Sequence, residues 1–297
     1  MIDHLAASGS RRLNPAGRAP RHPMINIHRI ISLDHAGLEP YRTLRRPLEH
    51  RQQGIFVAEG EKVVRRLLDS TLRLRSVLLC PEWFERFGPA LNSGHQGPVD
   101  VFLADRALLR QIIGYNLHQG IMALAEVPPE PDLRSLPSAH VVVALDALHH
   151  AENVGVVVRN AAALGAHAIL AGETAASPYL RRAVRNSMGA VFHLPIFHPP
   201  SLSTLLRSLV ESWGTRLIAA DAGGTTLLEE AEFGGNVCVI VGNEQEGVSP
   251  ELLSLCAVRV RVPMERGTDS LNVGSALAVI LYGIREYRRR TGEHHLR

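Results

Sequence analysis

The chemistry open to this chain is concentrated in three polar stretches, each reached from an apolar run. The first, ALDALHHAENVGVVVRNAAALG (144–165), places Asn153 near a helix start and Arg159 within a run made otherwise of Val and Ala. The second, VCVIVGNEQEGVSPELL (237–253), sets Gly242 and Gly247 around Asn243, Glu244, Gln245 and Glu246. Ser249 and Pro250 follow as N-cap and first residue of a helix. The third, VRVPMERGTDSLNVGSALAVILYG (260–283), runs from Val262, Pro263 and Met264 to Ser270, Leu271 and Asn272 at another helix start. Such amides, hydroxyl, carboxylate and guanidinium can orient a polar group and hold an anion, and the glycines let backbone approach a ligand closely. Taken one at a time the stretches say less: Asn153 and Ser270 read as caps, Arg159 as a surface charge, the second stretch as a plain strand-to-helix connection. His149-His150 lie within the first stretch, but no paired carboxylate or cysteine follows at ligand spacing, so no metal is expected. No G-x-G-x-x-G follows a strand, and neither G-x-x-x-x-G-K-[ST] nor G-x-S-x-G occurs. A dinucleotide site, a P-loop and a serine-hydrolase elbow are therefore poorly supported.

The elements that must position these stretches are alternating strands and helices. With 297 residues, 45% hydrophobic and 21% charged, the chain can bury a core and is long enough for two domains. No apolar run approaches the ~18–20 residues of a membrane-spanning helix, so a soluble, cytoplasmic protein is expected. Cys80, Cys238 and Cys256 form no C-x-x-C pair and read as small core residues. Residues 1–29 are expected to form a disordered tail. Strands at 55–60, 74–79, 98–104 and 120–127, with helices at 61–70 and 105–114, predict a small α/β domain over 30–127. The proline-rich segment 128–138 is a linker. From 139 to 297, strands at 140–148, 167–172, 191–197, 216–221, 236–242 and 257–263 alternate with helices, the last at 270–290. That spacing implies an α/β domain with a parallel sheet covered on both faces, whose ligands bind beyond the carboxyl ends of the strands. Net charge is +3, but 14 of the Lys/Arg residues and only 7 of the Asp/Glu residues fall within 1–75, and Lys62 is the only lysine. An arginine-rich first half fits contact with a polyanion.

In this order the three stretches resemble the three motifs of the SpoU (TrmH-like) branch of the SPOUT RNA methyltransferases. The pattern N-x-G-x-x-x-R-x-A-x-x-x-G is met by Asn153, Gly155, Arg159, Ala161 and Gly165. G-N-E-x-x-G is met by Gly242, Asn243, Glu244 and Gly247, and P-M-x-x-x-x-x-S-L-N by Pro263, Met264, Ser270, Leu271 and Asn272. RAVRNSMGAVFHLP (182–195) is similar to an intermediate segment of the family through Arg185, Ser187 and Gly189. The 30–127 unit looks like the family's RNA-recognition domain. The resemblance implies a deep trefoil knot in the C-terminal sheet. It further implies S-adenosylmethionine as cofactor, held by Gly242, Val262, Met264 and Leu271, and methyl transfer to a ribose 2′-hydroxyl of RNA without a metal. Asn153, Glu244, Ser270 and Asn272 would orient the ribose and the loop. Arg159 is the family's proposed base, but a guanidinium stays protonated with a pKa above ~12. It is better read as binding the hydroxyl and its flanking phosphate, with Glu244 as the alternative base. Arg185 would contact a second phosphate, and Arg65 and Arg66 would contact RNA from the first unit. A homodimer, and ribosomal RNA ahead of transfer RNA as substrate, are also implied. The alternative is an RNA-binding protein of the same fold without turnover.

Overall fold

A computed structural model of the protein describes residues 25–92, 97–114, 120–265 and 270–293. The first unit runs β1 (Ile25–Arg29), α1 (Glu39–Arg42), α2 (Pro47–Gln52), β2 (Ile55–Glu59), α3 (Glu61–Leu68), β3 (Leu74–Leu79), α4 (Pro81–Leu91), β4 (Val99–Leu103), α5 (Arg106–Ile113), β5 (Ile121–Glu126). Its sheet has the order β1-β4-β3-β5-β2, with β1, β4 and β3 parallel and β5 antiparallel to both β3 and β2. Residues 25–29 form a strand, so the expected tail over 1–29 is corrected for 25–29. That segment lacks an apolar run and is a strand by pairing: Ile25 to Arg29 register with Val99 to Leu103, and Asn26 and His28 both bond Asp100. Residues 1–24 lie outside the described residues.

A single 3₁₀ turn, Leu133–Ser135, interrupts the proline-rich connection. The second unit runs β6 (Val141–Leu145), α6 (Ala151–Ala163), β7 (Ala168–Ala171), α7 (Arg181–Asn186), β8 (Ile196–Phe197), α8 (Leu202–Trp213), β9 (Arg216–Ala220), β10 (Thr226–Leu227), β11 (Val237–Val241), α9 (Pro250–Leu253), β12 (Val258–Arg261), α10 (Val273–Thr291). Among the described residues these strands form one sheet of order β10-β12-β9-β11-β6-β7-β8, parallel throughout. Pleating sorts the apolar runs to two faces. Val141, Val143 and Leu145 join Val237, Val239 and Val241 under α6 and α10, while Val142, Ala144, Cys238 and Ile240 pack under α8 and α9. The strand expected at 191–197 shrinks to two residues. The positive φ of Met188 (54°) and Gly189 (81°) turns the chain into a 3₁₀ turn, Ala190–Phe192, before β8 begins.

The two units share a seam. Phe56 of β2 packs on Phe192 and Tyr179 at ring distances of 5.6 and 5.5 Å. Glu59, at the end of β2, pairs with Arg181 and Arg185 of α7, and Arg66 of α3 donates to the Met188 carbonyl. No helix of the described residues is long and apolar enough to cross a membrane.

Candidate active site

The carboxyl ends of β6, β9, β11 and β12 converge where the three polar stretches leave the sheet. The chain after β6 is fastened first: Asp146 N donates to the Val241 carbonyl at 2.9 Å, and Asp146 Oδ2 accepts from Ser249 N at 2.6 Å. Ala147 is held at φ 49°, a backbone state costly for a residue with a Cβ, and its carbonyl accepts from Asn243 Nδ2 at 3.0 Å. Asn243 also closes its own loop. Its backbone exchanges two 2.9 Å hydrogen bonds with Gly247, and its Oδ1 accepts from the amides of Gln245 and Glu246. This closure explains Gly242: a Cβ there would stand 2.1 Å from the Gly247 carbonyl carbon.

Three residues from the three stretches then form one hydrogen-bonded chain. Asn272 Nδ2 donates to Asn153 Oδ1 at 3.0 Å, and Asn153 Nδ2 donates to Glu244 Oε1 at 2.9 Å. Asn272 Oδ1 accepts from Gly274 N at 2.9 Å, making Asn272, and not Ser270, the N-cap of α10. Asn153 lies in the first turn of α6, whose N-cap position is His150, so its side chain is free of capping duty and is spent on Glu244 and Asn272. Partial burial would raise the Glu244 carboxyl. The bonds from Asn153 and the loop amides, with His150 nearby, outweigh it and hold the group below the ordinary glutamate value.

Behind this chain lies a cavity of about 590 Å³. Asn153, Glu244, Ser270 and Asn272 line it, as do Gly242, Val262, Met264 and Leu271. Among the described residues its wall holds no Lys or Arg and three carboxylates, Asp221, Glu244 and Glu246, the first paired with Arg259 at 2.5 Å. Such a lining suits a neutral or cationic ligand and is unsuited to a polyphosphate. His150, weighed from sequence only as a metal ligand, and Asp221, not singled out from sequence, also line the cavity. Asp221 ends the strand expected at 216–221, so the strand-end rule was the available signal.

The remaining candidates lie elsewhere. Arg159 is exposed on α6 and is absent from the cavity wall. Asn160, one residue on, instead bonds the Gly274 carbonyl at 2.8 Å and docks α6 onto α10. Arg185 and Arg66 are engaged at the seam, whereas Arg65 bridges Glu61 at 3.4 Å and lies over the Phe87 ring. The described residues hold no cluster of metal-ligating side chains.

The profile of the SpoU rRNA methylase family matches residues 140–282. An uncharacterized tRNA/rRNA methyltransferase of Mycobacterium bovis is 33% identical over 288 residues, covering 94% of this chain and 97% of its own. The chain belongs to the SpoU methylase family. The SpoU-matched span contains every residue of the cavity wall, and the first unit precedes it. Among solved structures, the SpoU methyltransferase AviRb of Streptomyces viridochromogenes, in complex with AdoMet, superposes with a TM-score of 0.75 at 22% identity. It covers 86% of this chain and 99% of its own. An RNA 2′-O ribose methyltransferase superposes with a TM-score of 0.72 at 25% identity, covering 88% and 100%. The SPOUT fold expected from the motifs, with its parallel C-terminal sheet, is thus the fold of this chain.

Proposed function

We propose that this protein transfers a methyl group from S-adenosylmethionine to a ribose 2′-hydroxyl of RNA in the cytoplasm, with ribosomal RNA favoured over transfer RNA. The observation that carries the reading is the Asn272–Asn153–Glu244 chain at the wall of a cavity that holds no Lys or Arg among the described residues. S-adenosylmethionine, when bound, supplies a methyl group already activated as a sulfonium. The cavity fits it: a cationic, phosphate-free ligand meets carboxylates, apolar walls at Val262, Met264 and Leu271, and backbone at Gly242. The trefoil knot is part of this proposal.

The protein's share of the reaction is alignment and proton handling. Glu244, ionised at neutral pH, accepts the hydrogen bond of the ribose hydroxyl and receives its proton. Asn153 fixes the Glu244 carboxylate in place, Asn272 fixes Asn153, and Ser270 offers a hydroxyl to the ribose. Arg159 stays charged and neutralises a flanking phosphate. Because Arg159 is exposed and off the cavity wall of its own chain, the proposal includes a homodimer in which Arg159 serves the partner's cavity. Arg185 and Arg65 contact the RNA backbone from the seam and from α3.

The test is methyl transfer from labelled S-adenosylmethionine to total RNA of the source cell, followed by alkaline hydrolysis. A 2′-O-methyl group blocks cleavage of its phosphodiester, so label is expected in alkali-resistant dinucleotides. Label confined to mononucleotides would contradict the ribose target. Tight binding of S-adenosylhomocysteine and of RNA without transfer would favour the RNA-binding alternative.

A further inference from the structure

A second cavity, of about 460 Å³, opens at the seam between the units. Its volume lies within the ~300–1,000 Å³ common for small-ligand sites. The first unit contributes Leu48 and Arg51 of α2, and the second contributes Ala176, Tyr179 and His198. Tyr179 is only 8% exposed, yet its hydroxyl has no hydrogen-bond partner among the described residues. Tyr179 lines the cavity, so its hydroxyl is open to bond a molecule that enters it. The Tyr179 and His198 rings stand 6.2 Å apart. Burial keeps the tyrosine protonated, a hydrogen-bond donor. Burial and nearby Arg51 also push the His198 imidazole below its ordinary value, opposed by Glu130. Arg51 itself has no acidic partner among the described residues.

The cavity adjoins the methyl-transfer site. Ala176 N donates to the Leu148 carbonyl at 2.9 Å, and His150, two residues further on, lines the first cavity. Both cavities therefore lie on one rim of the parallel sheet. A polynucleotide crossing that rim would meet apolar walls, two aromatic rings, an unused hydroxyl and an unpaired guanidinium together. Those are complementary to the faces, the edge and the phosphate of one nucleotide.

We propose that this second cavity takes one unstacked base of the RNA strand that carries the methylated ribose. Tyr179 and His198 receive the ring, the Tyr179 hydroxyl donates to its edge, and Arg51 holds the adjoining phosphate. The inference rests on the RNA-substrate reading given above.

The experiment uses the full chain with fluorescein-labelled A10, C10 and U10 oligoribonucleotides, read by anisotropy, and S-adenosylhomocysteine, read by calorimetry. Leu48→Trp fills the mouth of the cavity at a side chain that is 65% exposed, so the fold is preserved. Tyr179→Phe keeps the ring and removes the donor. Leu48→Trp is expected to weaken the preferred oligonucleotide about tenfold. Tyr179→Phe is expected to reduce the preference among the three about threefold, with S-adenosylhomocysteine affinity unchanged in both. Oligonucleotide affinities unchanged in both variants overturn the base site and leave the methyltransferase reading standing. A wild-type chain that binds S-adenosylhomocysteine but none of the oligonucleotides overturns the base site and the RNA-substrate reading together. Failure of the wild type to bind S-adenosylhomocysteine counts against the proposed function and is read separately from the oligonucleotide arms.

Discussion

Asn153 is the residue on which the candidate site turns, because both ends of its amide are committed. Asn153→Ala removes the donor to Glu244 and the acceptor for Asn272 while leaving Gly242, Val262, Met264 and Leu271 of the cavity wall in place. Methyl transfer is expected to fall about 10–100-fold, with the S-adenosylhomocysteine affinity changed less than about threefold. Glu244 reports the same event by titration. Its folded-state pKa lies below the unfolded one, so its ionisation favours the folded chain above the unfolded value of ~4.3. That contribution is lost as pH falls through the lower folded value. In Asn153→Ala the burial of Glu244 remains and the bond does not, so its midpoint, followed by carbonyl NMR, is expected to move up. Gly242 makes a different prediction. Gly242→Ala drives a methyl group into the backbone of Gly247 and should lower stability by about 1–3 kcal/mol in urea denaturation, with cofactor affinity lost through the displaced loop. A bulkier residue at 242 would report on folding of the loop more than on the ligand.

Helix α6 carries the first stretch, and its placement depends on close contacts on two sides. Gly155 lets α7 approach: a Cβ there would stand 2.5 Å from the Ala183 carbonyl oxygen and 2.7 Å from Asn186 Cβ. Gly274 does the same for α10, where a Cβ would meet Val156 Cγ1 at 2.5 Å. Gly155→Ala is therefore expected to destabilise the fold by about 1–3 kcal/mol and to slow transfer, since Asn153 shifts with its helix. A thermal midpoint equal to wild type would contradict this packing. The central strands were readable because burial on both faces leaves β6 and β11 almost wholly apolar, and helix ends were readable where a glycine stops them, as Gly114 and Gly214 do at φ 76° and 61°. Less was readable where tertiary pairing decides. INIHR becomes β1 only against β4, and Pro81–Leu91 is a helix with Pro89 inside it. Within the site, the motifs gave Asn153, Glu244 and Asn272 by position, but their mutual bonds join residues as much as 119 apart and have no local signature. Arg159 shows the converse: its motif position is clear, and its distance from the cavity wall follows only from the helix that carries it.

At the scale of the molecule, the proposed homodimer makes a prediction that a self-sufficient chain does not. Arg159→Ala and Glu244→Gln are each expected to be inactive alone. Refolded together in equal amounts, they should recover about a quarter of wild-type transfer, because a mixed dimer joins one intact cavity to one intact Arg159. No recovery would place both residues in the same working site of one chain. The seam bears on experiments with the first unit. Arg66 holds Met188 across it, so a joint Arg65→Glu, Arg66→Glu change disturbs the contact between units as well as any RNA, and Arg65→Glu alone is the cleaner probe. The large sheet also ends in a telling way: its outermost strands, β8 and β10, are two residues long apiece. A sheet edge normally presents a row of unpaired amides and carbonyls on which another sheet can grow. Here each edge offers almost no template, so the apolar central strands β6 and β11 are shielded from edge-to-edge aggregation, and concentrated native protein should stay free of cross-β growth.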